Sequence, residues 1–403
     1  MHFTPDLYSR DLKSLVPQFV GIVGLSALKK RFSDLAERRR VSPLFEDYIK
    51  ERHTVELELD RLLKHKRKTG RYPKKSESTA FQRVVGFMRM VHGVHSNLNV
   101  PGKHRLHGMI RDALKREGGF AALEHEMTTA AHCMRQGFDI EFVDLEGEDR
   151  FDLLARRDQD EIEIECKTVS NDIGRKIHRK DFIELAKNLW PLLSDYRAEL
   201  RQSRLVVLKV DDRLANTSDE AKRVSETIAS VLGSDNTSSQ VRGFSVEVHE
   251  YRPASLPPDA ATIREEIEKL IGTYQFHLFM CGDRDAVIVF VAHSSHRDQM
   301  LAYIYRQLKN ATDQFSGDRP AILSVLIEDI YPDQWADLRQ GSGLQVMTSK
   351  LLVSPARSHV HSVSYSSVGV LEKYPGHSSI RGTVLSYRNP HHPRYDAPSL
   401  QLY

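Results

Sequence analysis

The stretch Phe151–Lys167, FDLLARRDQDEIEIECK, contains two short segments of strand character separated by a polar turn. In the second segment, Glu161–Lys167 (EIEIECK), charged and apolar side chains alternate, and this period of two is typical of a strand with one polar face. The first segment, Phe151–Ala155, predicts a partner strand, so the two are expected to pair as a hairpin. Such a hairpin would bring the carboxylate of Asp152 beside that of Glu165.

Two helices and a further strand precede this hairpin. Apolar spacing predicts helices over 106–116 and 121–136, separated by Gly118-Gly119, and Gly137 is a natural end for the second helix. Residues 138–143 (FDIEFV) alternate and predict a strand. This order indicates a sheet with a helix packed on it.

The whole chain is predicted to be an α/β protein. Residues 5–100 show mostly helical spacing of apolar residues, and beyond residue 170 predicted helices and strands alternate. The helices are expected at 180–193, 218–232, 262–271 and 296–315, and the strands at 205–210, 244–251, 275–280, 286–291, 321–327 and 359–365.

Three regions are predicted along the chain. They are a basic helical N-terminal region over 1–104, a core with a mixed sheet flanked by helices over 105–251, and an α/β C-terminal region over 259–403. The Pro-containing stretch Arg252–Pro258 is the best internal boundary after residue 120. Three roles stay open for the C-terminal region, namely extension of the core sheet, target recognition or dimerisation.

Composition excludes several classes of protein. With 403 residues, 40% hydrophobic and 28% charged, the chain is long enough for two or three cores. Its longest apolar run, Ala286–Ala292, is too short to cross a bilayer of roughly 30 Å, so we expect no membrane span and a cytoplasmic location. Three distant cysteines provide neither a disulfide framework nor a CxxC zinc pair.

The formal net charge of +3 is the sum of two opposed segments. Residues 1–120 carry 12 more basic than acidic side chains, and residues 121–170 carry 9 more acidic than basic ones. Within the first segment, Arg61–Lys75 contains eight basic residues and no acidic one, which is the pattern expected of a phosphate-backbone contact. A solvated linker between helices is the alternative interpretation of that run.

The chemistry of the hairpin favours a hard divalent cation. Two carboxylates, Asp152 and Glu165, together with the backbone carbonyl of Cys166 suit Mg²⁺, which prefers oxygen ligands and keeps several waters. Lys167 is then placed to orient or deprotonate one of those waters and to stabilise charge on a pentavalent phosphorus.

This pattern of an Asp, then Glu-x-Lys on the next strand, after a helix that carries a glutamate, resembles the PD-(D/E)xK nuclease superfamily, which has the restriction-endonuclease-like fold. Asp152, Glu165 and Lys167 match the three residues of the motif, whereas Phe151 stands where the motif has proline. The resemblance covers roughly 105–195, about a quarter of the chain. It implies a Mg²⁺-dependent DNA endonuclease, with Mn²⁺ able to substitute, of a kind that suits prokaryotic antiviral defence or mobile-element processing.

The helix glutamate of the family pattern matches either Glu126 or Glu124. We prefer Glu126, because it shares with Ala130 and Met134 the stripe expected to pack on the sheet. A glutamate buried there requires a partner such as a metal or Lys167. The alternative is that both are ordinary first-turn acids that favour the helix dipole.

Cations on both sides of the motif predict a path for nucleic acid. In the N-terminal region they are Lys64, Lys66, Arg67, Lys68 and Arg71, and after the motif they are Arg175, Lys176, Arg179 and Lys180. Cations at the start of a helix oppose its dipole, so the second group calls for another reason, such as phosphate contact. The approach to an ordinary surface helix is the alternative.

The sequence therefore predicts a metal-dependent nuclease that acts on nucleic acid, with DNA the expected substrate. Asp152, Glu165 and the Cys166 carbonyl would bind Mg²⁺, with Glu126 assisting and Lys167 activating water. Two rivals stay open: a catalytically silent nucleic-acid-binding or scaffold protein, and an RNase with the same site. Homodimerisation and partner proteins stay undecided.

Overall fold

The computed structural model describes residues 12–41, 49–50, 52–73, 78–147, 150–170, 172–198, 200, 202–214, 218–234, 236–252, 260–273, 275–282, 286–328, 335, 338–367 and 384–401. The predicted α/β class is confirmed, with helices and two mixed sheets. The predicted boundary at Arg252–Pro258 lies outside the described residues except for Arg252 itself. The chain divides into two compact units, 1–171 with 301–403, and 172–300.

The first unit begins with helices that surround an apolar cluster. These are α1 (Leu12–Val23), α2 (Leu25–Val41), α3 (Thr54–Thr69), α4 (Thr79–Asn97), α5 (Val100–Lys115) and α6 (Ala121–Arg135). Side-chain caps fix two of the starts, because Ser78 accepts a hydrogen bond from the Phe81 N–H and Asn99 accepts one from the Gly102 N–H. The core cluster joins these helices to the sheet through residues such as Phe19, Met127 and Ile164.

A six-stranded sheet completes the first unit. Its strands are β1 (Asp139–Glu141), β2 (Leu153–Arg157), β3 (Asp160–Ser170), β9 (Ala321–Glu328), β10 (Val360–Ser366) and β11 (Leu385–Arg388), adjacent in that order. β3, β9 and β10 run parallel, and the remaining pairs are antiparallel. Helix α6 packs on β3, as the sequence predicts. The short helix α7 (Val143–Glu146), which the sequence did not predict, lies between β1 and β2.

The second unit has a sheet of its own. Its strands are β4 (Arg204–Val210), β5 (Ser238–Val241), β6 (Phe244–Glu250), β7 (Phe276–Gly282) and β8 (Val287–Ser294), in the spatial order β5, β6, β4, β8, β7. Its helices are α8 (Arg179–Ala198), α9 (Ser218–Leu232) and α10 (Ala260–Ile271). An apolar cluster that includes Ile267, Val289 and Val291 forms between helix and sheet.

The structure divides the chain differently from the predicted regions. The predicted core, 105–251, runs from the first unit into the second, and β9 and β10 come from the predicted C-terminal region to continue the sheet beside β3. The second unit is thus an insertion between β3 and α11 (Met300–Thr312). Of the three roles left open for the C-terminal region, extension of the sheet is the one observed.

No single helix in the described part of the chain is long and apolar enough to span a membrane. Helices α1 and α2 reach the length and apolar character of a membrane span only when taken together, and the chain bends by 89° between them.

Candidate active site

The β2–β3 hairpin brings Asp152 to the middle of β3. Leu153 pairs with Ile164, so Asp152, one residue before β2, comes opposite Glu165. Its Oδ2 accepts a hydrogen bond of 2.6 Å from the peptide N–H of Cys166. The N–H and C=O of one strand residue point to the same edge, so the Cys166 carbonyl also faces the side of Asp152.

Glu165 is buried, and within the described residues only one of its two carboxylate oxygens accepts a hydrogen bond. Its side chain is 1% exposed. Oε1 accepts a hydrogen bond of 2.7 Å from the Lys167 Nζ, whereas Oε2 is buried and has no hydrogen-bond partner in the described residues. A buried carboxyl oxygen without a donor is uncommon in folded proteins, and either a proton shared with the neighbouring Asp152 or a cation would satisfy it.

The two candidate glutamates of helix α6 have different surroundings. Glu124 makes a two-pronged ion pair with Arg83 of α4, with both N–O distances 2.8 Å. Glu126 is half-buried and lies close enough to Asp152, Glu165 and Lys167 to interact with them electrostatically. The structure thus brings Glu126 to the hairpin and assigns Glu124 to helix packing.

A fourth carboxylate, absent from the sequence prediction, joins this cluster. Asp144 of helix α7 interacts electrostatically with Asp152, Glu126 and Glu165. The alternation in residues 138–143 predicts a strand, and a helix of four residues is too short to produce a helical period in the sequence. The only available signal was the acidic turn after that strand.

Burial and mutual repulsion raise the pKa values of the whole cluster. Burial first, and then the charge of Asp152, raise the pKa of Asp144 to about 7 and that of Glu165 to about 8. Burial raises the pKa of Asp152 to about 6, although its bond from Cys166 opposes the shift. Burial followed by the neighbouring carboxylates raises the pKa of Glu126 well above its ordinary value. Such clusters are typical of functional sites.

The donor set fits a hard cation in its chemistry. All the side-chain ligands are carboxylate oxygens, one of them orphaned, and a carbonyl faces the same edge. Within the described ranges, however, no group of three or more His, Cys, Asp or Glu side chains forms a ready set of metal ligands. Ion binding therefore requires these side chains to shift, and the Oε2 atom of Glu165 can bind an ion while its Oε1 stays with Lys167.

The other acids of the polar face of β3 are structural. Glu163 is fully buried and accepts hydrogen bonds from the Ser316 N–H at 2.9 Å, the Ser316 Oγ at 2.5 Å and Arg319 at 3.2 Å. Glu161 pairs with Arg156 and Arg319. The alternation predicted the face correctly but does not separate these carboxylates from that of Glu165.

The predicted N-terminal cations lie at the exposed end of α3 and just beyond it. Lys64 pairs with Asp60 at 2.6 Å, and Lys66 donates to the carbonyl of Gly70 at 2.5 Å. Arg67, Lys68 and Arg71 are exposed. Cations at the end of a helix also favour its dipole, so this placement by itself fits both interpretations of the run.

The second set of predicted cations belongs to the second unit. The Lys176 Nζ pairs with Asp212 at 2.5 Å, and its N–H donates to Asp298. The N–H of Arg179 donates to Asp172, and burial lowers the pKa of Arg175. Lys180 is exposed. These contacts with Asp172, Asp212 and Asp298 offset part of the positive charge of this loop.

Comparison of the chain with family models, curated proteins and solved structures finds no match.

Proposed function

We propose that this chain is a divalent-metal-dependent nuclease that hydrolyses phosphodiester bonds of DNA, with its site where Asp152 meets β3. The observation that carries the proposal is the buried Glu165 carboxylate, whose Oε2 has no hydrogen-bond donor in the described residues while three further carboxylates surround it. Stability alone gives no reason for such a cluster, because each carboxylate makes its neighbours harder to ionise. The resemblance to the PD-(D/E)xK pattern supports the same function.

Asp152, Glu165, Glu126 and the Cys166 carbonyl would hold the ion. Mg²⁺ bound there would supply a water of lowered pKa and a positive charge beside the scissile phosphate. The bond from the Cys166 N–H fixes one oxygen of Asp152, and the side chain of Asp152 also interacts with that of Glu165, so the two carboxylates face each other. The buried position of Glu165 excludes water from one side of the site.

Lys167 would act on the substrate side. Its side chain is 30% exposed, so the ammonium can reach a phosphate in solution while it contacts the buried Glu165. With an ion bound, the Lys167 ammonium would be placed to hold the attacking water and to stabilise the negative charge that develops on the phosphoryl oxygens.

The exposed cations at the end of α3 and just beyond it support a nucleic-acid substrate. Lys66, Arg67, Lys68 and Arg71 present positive charge within a short stretch of surface. Contacts to phosphate of this kind carry no sequence information but supply much of the affinity for nucleic acid. Prokaryotic defence is the biological role that we expect of such an enzyme.

The test is a cleavage assay with the purified full chain. Supercoiled plasmid, linear duplex, single-stranded DNA and RNA are each incubated with Mg²⁺, Mn²⁺ or EDTA, alongside Lys167→Ala and the control Lys115→Ala, an exposed lysine of α5. We expect metal-dependent cleavage of DNA by the wild type and the control and none by Lys167→Ala. Cleavage by all three proteins would refute the assignment, and cleavage of RNA alone would make the chain an RNase.

A catalytically silent binding protein is the second candidate. The observation that favours it is the lack, in the described part of the chain, of a ready set of metal ligands. Retention of nucleic acid in a gel-shift assay without cleavage under any metal condition would establish this alternative.

A further inference from the structure

Helices α4 and α5 are rich in basic side chains and carry one acid. Together they have six lysines and arginines and four histidines, and Asp112 is their single carboxylate. Arg83 forms an ion pair with Glu124 of α6, and Lys115 pairs with Asp112 at 3.8 Å. The two helices therefore carry more positive charge than their own acid can balance.

The four histidines come together where α4 and α5 pack. They lie three residues apart on each helix, His92 and His95 on α4 and His104 and His107 on α5, so each pair shares one helix face. The rings of His95 and His107 stack across the two helices, with centroids 5.2 Å apart and planes inclined by 20°. The Nε2 of His107 is buried and has no hydrogen-bond partner in the described residues. The stacked rings thus join the two pairs into one cluster.

Two cations extend this cluster along α5. Lys103 and Arg111 each lie four residues from His107, one on either side, so the three side chains follow one face of the helix. At 1.5 Å per residue, about 12 Å separate the two ends of this row. Arg111 and His104 are exposed, and Lys103 is half-buried. We call this surface the α4–α5 basic face, and its members are His92, His95, Lys103, His104, His107 and Arg111.

Acids do not neutralise the α4–α5 basic face. Within the described residues, no carboxylate forms an ion pair with any of its six side chains. Burial, followed by repulsion from neighbouring basic groups, lowers the pKa of both His95 and His107. A surface with one sign of charge and no counter-charge attracts ligands of the opposite sign. The face therefore has the electrostatics of a contact site for an anion.

Helix α5 also contacts the candidate active site. The Nε of Arg105, next to His104 in the chain, donates a hydrogen bond of 2.5 Å to the carbonyl of Leu145 in α7. A Cβ atom on Gly147, at the end of α7, would come within 3.0–3.1 Å of the same guanidinium. Helix α7 carries Asp144, with which Arg105 interacts electrostatically. A ligand held along α5 would therefore lie beside the proposed site.

We propose that the α4–α5 basic face binds the phosphate backbone of the DNA substrate. This inference rests on the proposed function, since it names a surface that holds the substrate of that site. A row of about 12 Å suits a polyanion better than a single small anion, because the phosphates of one DNA strand follow each other at about 3.4 Å along the helix axis. Lysine and arginine contacts to phosphate position the nucleic acid without reading its sequence.

The test measures the affinity of the full-length protein for a fluorescein-labelled DNA duplex by fluorescence anisotropy, at several KCl concentrations and in EDTA, which prevents metal-dependent cleavage. The variants are Arg111→Gln alone and Arg111→Gln with Lys103→Gln. The matched control replaces Arg306 and Lys309, an exposed arginine and lysine of α11, by Gln, so its net charge equals that of the double variant. Thermal unfolding shows whether each protein is folded.

We expect the slope of log affinity against log salt to decrease by about 0.9 in Arg111→Gln and by about 1.8 in the double variant, with affinity at about 0.1 M salt more than about tenfold lower in the double variant. The control should retain the slope of the wild type. Equal slopes in the wild type and the double variant, or an equal decrease in the control, would overturn this proposal, and metal-dependent cleavage of DNA by the wild type would then still support the nuclease. A decreased slope in the double variant alone, without cleavage by the wild type under any metal condition, would support the face and refute the nuclease.

Discussion

Glu163 and Glu165 lie two residues apart on the same face of the same strand, and both are buried, but their surroundings are opposite. Glu163 receives three hydrogen bonds, two from Ser316 and one from Arg319. Glu165 receives one from Lys167, has an oxygen without a partner in the described residues, and is surrounded by other carboxylates. Burial alone therefore does not distinguish a structural acid from a functional one. The number of hydrogen-bond donors around the carboxylate does.

Helix α6 repeats this contrast. Glu124 is neutralised by Arg83, whereas Glu126, half a turn further on, faces Asp152 and Asp144. At each of the two places, one carboxylate holds elements together and the other adds to a concentration of negative charge. The cost of that concentration is accounted for if a cation binds there.

The largest expected effect is a difference in DNA cleavage between variants of the two glutamates of β3. Glu165→Gln should reduce DNA cleavage by more than about 10²-fold, because loss of even an outer-shell partner of a metal site costs about 10–100-fold. Glu163→Gln should retain cleavage close to wild type in its folded fraction, because its partners lie on the loop 316–319. Initial rates at saturating Mg²⁺ measure both. Equal losses in the two variants would contradict the distinction.

The second effect is the reverse contrast in stability. Glu163→Gln should lower the free energy of unfolding by about 2–3 kcal/mol, since it weakens hydrogen bonds to a buried charge and leaves Arg319 partly unpaired. Glu165→Gln should leave stability unchanged or increase it at pH 8, because it removes a buried carboxylate that its neighbours repel. Urea unfolding in EDTA checks this. A larger loss in Glu165→Gln than in Glu163→Gln would refute it.

The third effect is a pH dependence of the metal-free protein. The raised pKa values of Asp152, Asp144 and Glu165, about 6, 7 and 8, mean that the folded chain retains protons that the unfolded chain loses near pH 4. The stability contributed by the cluster is therefore fully present below about pH 4 and decreases as the pH rises toward 8, by about 1.4 kcal/mol per pH unit for each retained proton.

The control for this decrease of stability with pH is Asp144→Asn. It removes one retained proton, so its unfolding free energy, measured in EDTA from pH 5 to 8, should fall less steeply than that of the wild type. A steeper fall in the variant would contradict the prediction.

The smallest effect concerns the exposed cations of α3. Replacing both Arg67 and Lys68 by Gln should weaken DNA binding modestly and reduce the slope of log affinity against log salt by about 0.9 for each cation that contacts a phosphate. The matched control replaces Lys209 and Lys222, two exposed lysines of the second unit. Identical slopes of log affinity against log salt for the wild type and the α3 variant would show that these cations do not contact DNA.

Local elements of the fold were predictable, because periodicity is a local property. The helix expected at 218–232 is observed over those residues, and the strand expected at 321–327 is observed over Ala321–Glu328. The pairing of β3 with β9 was not predictable, since 150 residues, among them a whole inserted unit, separate these strands. Helix α12 (Ser342–Leu352) was also missed.

In the candidate site, too, only the features that depend on local sequence pattern were predictable. The hairpin register of Asp152 and Glu165 followed from alternation and turn length, and the apolar stripe of α6 favoured Glu126. The ion pair of Glu124 with Arg83 depends on the packing of two helices, and Asp144 enters through a helix of one turn. Neither has a periodic signal in the sequence.

Thermal unfolding with and without Mg²⁺ at pH 8 tests the metal site most directly, because an ion that binds only the folded chain raises its melting temperature. We predict that Mg²⁺ raises the melting temperature of the wild type and of Glu163→Gln by the same increment and leaves that of Glu165→Gln unchanged. The same increment in Glu165→Gln, or none in the wild type, would contradict the assignment of this site.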